Sequence, residues 1–296
     1  MALTYVLITA AHNEEHHIEK TIHAVLSQTI KPVKWVIVND GSSDATESIV
    51  KSYSSSTHWI ELYNIPQRAE RNFAGKAVAF NDGWAQIRNL PYDLIGNLDA
   101  DVSFDADYFE YLIDKFEKIP ELGVAGTHYI ENKFHSFRDS YINVHHVNGQ
   151  CQLFRRKCLE EIGGYPPIEG GGIDWVAVTT ARMKGWETYS FDGRVFFHHR
   201  TMGTAGSNVY ISRYKYGRKD YFLGNHPLWE FLRVLYQLSK RPYVLGGLFL
   251  LAGYFGAWIS GEKRPISDEI IQFHRAEQLQ RLQKLLQNRF DRLKHR

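Results

Sequence analysis

Asp99 and Asp101 stand one residue apart where the apolar run Leu94-Ile95-Gly96-Asn97-Leu98 ends. Such a run fits a buried strand of a parallel sheet, and ligands of open α/β sheets gather beyond the carboxyl ends of those strands. An ionised carboxylate is costly to bury alone, so the pair calls for a cationic partner. Hard oxygen donors at this density suit Mg²⁺ or Mn²⁺ shared with a phosphate. The plainer account is a solvated strand-to-loop junction, and the neighbouring segments favour a site. Asp174 follows the glycine run Gly170-Gly171-Gly172 at the start of a helix. An acid there is favoured by the helix dipole as a simple cap, and on a glycine-flanked loop it could equally act as a general base. The pair His198-His199 ends a short strand, Val195–Phe197, much as Asp101 does, and one of its rings could complete a metal site.

The elements that must position these groups follow from periodicity. Tyr5–Thr9 reads as a strand, followed by Ala10, Ala11, His12, Asn13 and Glu14 and a helix to about Gln28. Trp35–Val38 is a second strand ending at Asn39-Asp40-Gly41, and Asp44 with Glu47 has capping-box spacing for the next helix. Trp59–Tyr63 reads as a third strand, Gly75–Ile87 as a helix, and the Asp99 strand is the fourth. Strands alternating with helices in this way predict a doubly wound parallel sheet. Polar residues gather at the carboxyl end of the first, second and fourth strands, lining a crevice suited to a nucleotide. Asp40 could accept a hydrogen bond from the imide of uracil or thymine. Neither GxGxxG nor GxxxxGK[ST] occurs, so a diphosphate would need a metal and cations such as a lysine.

With 296 residues, 44% hydrophobic and 23% charged, the chain can bury a sizeable core, and a net charge of +2 gives no argument for nucleic acid. Cys151 and Cys158 read as reduced thiols of a cytoplasmic protein, and no secretory leader is read at the start. From Tyr210 onwards basic and aromatic residues mix, Leu228–Leu238 is a candidate amphipathic helix, and the apolar stretch Tyr243–Ile259 is short for a membrane span. It is bracketed by Lys240-Arg241 and Lys263-Arg264, so residues 240–264 suit peripheral contact with a membrane interface, with packing on the main domain as the alternative. A polar helix from Asp268 could dock onto the body or a second subunit. The domains expected are therefore 1–207 and a helical region 208–296.

Four segments in order, Val6–Glu15, Val38–Asp44, Asn97–Asp101 and Gly171–Trp175, together resemble the family 2 glycosyltransferases of the GT-A fold. The resemblance covers about residues 4–205 and implies a mixed, mostly parallel doubly wound sheet, here with a helical C-terminal appendage. It implies that Ala10, Ala11, Asn13, Glu14 and Asp40 hold the base and ribose of a UDP- or dTDP-sugar. Asp99, next to Ala100, would touch the ribose or a metal-bound water, and Asp101 would ligate Mg²⁺ or Mn²⁺ bridging the diphosphate. Lys76 and Arg71 would neutralise phosphate charge. Asp174 would take the proton from an acceptor hydroxyl, with inversion at the anomeric carbon. The tail resembles a bacterial surface-polysaccharide subgroup, which implies a glycan or lipid-linked saccharide acceptor and a place at the cytoplasmic face of the cell membrane.

Two positions depart from the family pattern: Ile173 stands where a glutamate usually precedes the aspartate, and Ala11 where many members carry proline. Ile173 keeps open a rival reading, a protein that binds nucleotide-sugars without transferring them. A haloacid-dehalogenase-type phosphatase would also use Asp99-Ala100-Asp101, but on its first strand rather than its fourth.

Overall fold

The computed structural model describes residues 3–66, 73–132, 134–136, 143–200 and 208–294. The chain divides into two compact units, Met1–Thr201 and Met202–Arg296.

The first unit opens with β1 (Tyr5–Ala11), α1 (Ile18–Leu26), β2 (Lys34–Asp40), α2 (Thr46–Ser56), β3 (Ile60–Ile65), α3 (Phe73–Ile87) and β4 (Leu94–Leu98). It continues through β5 (Val102–Phe104), α4 (Tyr108–Lys118), β6 (Leu122–Glu131), β7 (Phe134–His135) and β8 (Cys151–Arg155). Then come α5 (Arg156–Ile162), α6 (Ile173–Met183) and β9 (Glu187–His198). The strands form one sheet in the order β3-β2-β1-β4-β8-β6-β9-β5, with β7 paired to β6. β3, β2, β1 and β4 are parallel, β8 runs antiparallel to β4 and β6, and β9 is parallel to β6. The result is the mixed, mostly parallel doubly wound sheet that the sequence predicts.

β1 and β4 are the centre because they can be buried on both faces. Tyr5 and Leu7 point into the cluster built with Ile18, Ile22 and Phe109, whereas Ile8 faces Gly83 of α3. A Cβ on Gly83 would come within 2.8 Å of Val38 and 2.9 Å of Ile8, so glycine is what lets α3 lie this close to the sheet. Cys151 and Cys158 are buried free thiols, whose pKa burial pushes up to about 12 in each case.

Two expectations are revised. β9 is twelve residues long rather than the three of Val195–Phe197. Its inward positions Thr188 and Ser190 are polar, which hides the strand from a hydrophobic pattern; their hydroxyls bond the carbonyls of His145 and His146 at 2.6 and 2.7 Å. The capping box does not form. Asp44 accepts from the Thr46 amide at 3.0 Å, the Ala45 amide goes to Glu15 at 2.9 Å, and Glu47 accepts instead from Asn64 at 3.0 Å. Burial works against the Asp44 carboxylate, but the Thr46 and Glu15 hydrogen bonds outweigh it and hold its pKa low.

The second unit is helical: α7 (Val209–Phe222), α8 (Pro227–Leu238), α9 (Leu245–Ile259) and α10 (Asp268–Lys294). Asn208 caps α7 through its side chain, and the His226 ring accepts from the Leu228 amide to cap α8, with Pro227 in the first turn. Among the described residues no helix is long and apolar enough to cross a membrane.

Candidate active site

Strand order reverses at β1, which pairs with β2 on one side and β4 on the other. The crevice beyond such a switch point is where open α/β sheets bind ligands. On the β1 side, Ala10 and Ala11 lie in register with Val38 and Asn39. Asn13 takes a left-handed backbone (φ 55°) that turns it onto the loop after β2. Its amide donates to Ser42 Oγ at 3.0 Å and its side-chain oxygen accepts from the Ser43 amide at 2.8 Å. The Asp40 carbonyl accepts from His12 Nδ1 at 2.6 Å, so the two strand ends are stitched into one wall. Arg71 lies outside the described residues.

Beyond β4, Asp99 forms an ion pair with Lys76 of α3. Gly149, just before β8, is the floor that brings Asp174 to this pair. Its carbonyl accepts from Asn97 Nδ2 at 2.6 Å, and a Cβ built on it would meet the Asp174 side chain at 2.7–2.9 Å, its carboxylate at 2.8–2.9 Å. Asp174 is held there by the first turn of α6, which starts after Gly172 at φ +88°. Burial opposes the Lys76 ammonium, but Asp99, Asp174 and Asp101 outweigh it and raise its pKa. Burial pushes the Asp99 carboxyl upward by more than Lys76 pulls it down, so its pKa lies above the usual carboxylate value.

Asp101 faces other partners. Its Oδ2 lies 3.4 Å from His198 Nε2 and 3.8 Å from Arg200, and Arg200 also pairs with Glu14. The other His198 nitrogen, Nδ1, is 2.9 Å from Glu131. Burial raises and these cations lower the Asp101 pKa, and the cations prevail. Burial opposes the His198 imidazolium, yet the bond to Asp101, its charge and Glu131 raise the pKa to about 9. Register explains the convergence: Val102 pairs with His198 and Ile130 with Phe197, so β5, β6 and β9 deliver Asp101, Glu131 and His198 to one edge.

His199 is not brought to Asp101 in the same way. Its Nε2 bonds Ser103 Oγ at 2.8 Å and its ring stacks on His17. Of the two neighbouring histidines, only His198 offers a nitrogen to the carboxylate.

Among the described residues no three His, Cys, Asp or Glu side chains are grouped to hold a metal ion. Asp101 and His198 nevertheless fit a shared one. Asp101 Oδ2 and His198 Nε2 lie 3.4 Å apart and would share an ion once the imidazolium gives up its proton, and Glu131 backs the ring as metal-ligating histidines usually require. Mg²⁺ and Mn²⁺ commonly take few protein donors and complete their shell from substrate phosphates and water.

Glu131, Arg200 and Gly149 were missed as site residues. The first two close strands β6 and β9 just as Asp99 closes β4, so strand-end position was the available signal. Gly149 had none, because its role is to leave room. Ile173 is only 6% exposed in the first turn of α6, so apolar packing occupies the position where the family carries a second acid.

The family described as Glycosyl transferase family 2 matches residues 6–137. The poly-beta-1,6-N-acetyl-D-glucosamine synthase of Staphylococcus epidermidis is 26% identical over 214 residues, 66% of this chain and 48% of that protein. The chain thus spans about half the length of that relative. Among solved structures, the mannosyltransferase PcManGT of Pyrobaculum calidifontis, in complex with GDP-Man and Mn²⁺, superposes with a TM-score of 0.59 at 18% identity, covering 90% of this chain and 78% of that one. Residues 1–349 of S. aureus TarS, in complex with UDP-GlcNAc, superpose with a TM-score of 0.56 at 12% identity, covering 87% and 73%. Over residues 6–137 the chain matches the family described as Glycosyl transferase family 2, and its sheet has the GT-A fold.

Proposed function

We propose that this protein is a metal-dependent inverting glycosyltransferase that moves a sugar from a UDP- or dTDP-sugar to a hydroxyl of a glycan or lipid-linked saccharide acceptor. The observation that carries the reading is the meeting of Lys76–Asp99, Asp101–His198 and Asp174 around Gly149 and the strand ends. The synthase relative, named for an N-acetylglucosamine polymer, supports a sugar-polymer product.

In this reading the wall from Ala10 to Glu14, with Asp40, holds the nucleoside. Asp99 keeps Lys76 charged and aimed, and the ammonium offsets phosphate charge. Asp101 and His198 would hold Mg²⁺ or Mn²⁺, which when bound would supply positive charge to stabilise the leaving diphosphate. Asp174 accepts the proton of the acceptor hydroxyl as that oxygen attacks the anomeric carbon; the bond to the diphosphate breaks and the configuration inverts. A base is needed because a sugar hydroxyl is a weak nucleophile near neutral pH.

The buried Ile173 favours one other reading, a protein that binds the donor without turnover. Release of free sugar from UDP-GlcNAc and from a dTDP-sugar, with Mn²⁺ present, separates the two. The expected outcome is slow turnover by the natural chain and a loss of about 10²–10⁴-fold in Asp174→Asn with donor binding retained. Equal binding by both proteins with no turnover by either would leave the binder.

A further inference from the structure

The second unit keeps a small apolar core around Tyr221, Tyr254 and Ala257, yet α8 and α9 also turn apolar residues outward. On α8 the residues turned inward are Glu230, Val234 and Gln237, at most 8% exposed, and Arg233 pairs with the buried Asp220 of α7. Leu228, Phe231, Leu232, Leu235 and Tyr236 are 40–50% exposed and repeat at helical spacing along one outward stripe. A helix of a water-soluble domain turns such a stripe toward its core. On α9 the buried positions include Gly246, Gly247, Gly253 and Ala257, while Leu245, Leu248, Phe249 and Ile259 stay outside, Ile259 at 86% exposure. Backbones meet at these small residues: a Cβ on Gly217 would fall 1.9 Å from the Leu250 carbonyl oxygen, and one on Gly253 would fall 2.1 Å from that of Tyr214. Close approach through small residues is how helices associate when the surroundings are as apolar as their side chains.

Several buried polar groups are bonded within the unit, although Glu230 Oε1 and Gln237 Nε2 have no hydrogen-bond partner among the described residues. Asn225 Oδ1 accepts from Gln278 at 3.0 Å and lies 2.9 Å from His274 Nε2; its carbonyl accepts from Tyr254 at 2.6 Å. The His226 amide donates to Gln278 at 2.7 Å.

We infer that this unit lies in the surface of an anionic lipid bilayer, with the outer faces of α8 and α9 immersed at the boundary between headgroups and acyl chains. Charge complementarity selects lipid over a second copy of the chain. Residues 209–264 carry nine Lys or Arg against three Asp or Glu, whereas the whole chain carries 35 against 33. Two copies meeting through this face would bring like charges together, while acidic headgroups would neutralise them. Tyr214, Tyr216, Tyr243 and Trp258, each 39–58% exposed, are the amphipathic aromatics that favour the headgroup level. An open groove lined by Asn208, Val209, Tyr210, Arg241, Tyr243 and Leu245 is mostly apolar with one guanidinium, which suits a lipid glycerophosphate. The seat is peripheral: fifteen residues at ~1.5 Å each give α9 about 22 Å, short of the ~30 Å hydrocarbon core. This inference goes beyond the transferase reading and does not depend on it.

Co-sedimentation of the full chain with vesicles of phosphatidylcholine, with and without phosphatidylglycerol, tests it. The natural chain is expected to partition onto the anionic vesicles and less onto the neutral ones, and acyl-chain bromination is expected to quench its tryptophan fluorescence. The Leu232→Asp/Leu248→Asp pair, and separately Ile259→Asp, are expected to lower the partition coefficient, the pair by at least about tenfold, with melting temperature unchanged. Asp174→Asn is expected to bind vesicles like the natural chain, so failure of the transferase reading would leave this result standing. Recovery of the natural chain in the supernatant, or full binding by folded aspartate variants, would overturn the inference. So would a lipid-free dimer, seen by light scattering, that the aspartate pair dissociates while vesicles bind nothing.

Discussion

Asp99 and Asp101 are separated by one residue yet face different cations, Lys76 and His198. Each carboxylate at this strand end has its own cationic partner, and in the proposed reaction each partner has its own task. The residue that ties them to Asp174 is Gly149, where hydrogen in place of Cβ leaves room for the acid. Gly149→Ala is therefore expected to push the Asp174 carboxylate aside and reduce kcat by ~100-fold, while donor affinity measured by titration stays near that of the natural chain. Unchanged turnover would mean that Asp174 is not held by this contact. At this scale Asp99 and Asp101 stood out in the sequence because charged side chains end an apolar run, whereas Lys76 was named only through the family resemblance. His198 and His199 were not separable there, since only the register of β5 on β9 decides which ring meets Asp101.

At the scale of elements, the parallel strands were legible because burial on both faces demands continuous apolar runs. β9 was largely hidden because its inward Thr188 and Ser190 satisfy loop carbonyls instead of packing as hydrocarbon. α8 shows the reverse: its helical period was legible, but its stripe faces outward. Period alone cannot tell which side of a helix meets water. The inward side carries Glu230, fully buried, whose pKa burial pushes up to about 7. An unfolded glutamate titrates lower, so the folded chain holds a proton that the unfolded chain releases. Folding is then weakened as pH rises from the unfolded value towards about 7, and the loss is complete above it. Glu230→Gln is expected to raise the melting temperature of the helical unit at pH ~8, corresponding to about 2 kcal/mol, and to change it little at pH ~5. Melting followed by circular dichroism at the two values checks this; an equal shift at both would assign the effect to packing.

For the whole molecule, the site is assembled by the sheet rather than by any one segment. Its groups come from residues 13 to 200 in sequence, and they meet because β1, β4, β6 and β9 all end at the same edge. Asp101 and His198 offer too few donors to hold an ion alone, so metal and nucleotide should bind as a pair. Calorimetric titration with UDP, in the presence and absence of Mn²⁺, for the natural chain and for Asp101→Asn, measures this directly. The expected result is at least about tenfold tighter UDP binding with Mn²⁺ in the natural chain, a coupling of about 1.4 kcal/mol, and no such gain in the variant. UDP affinity that ignores Mn²⁺, or a gain that survives Asp101→Asn, would contradict a shared metal–diphosphate site.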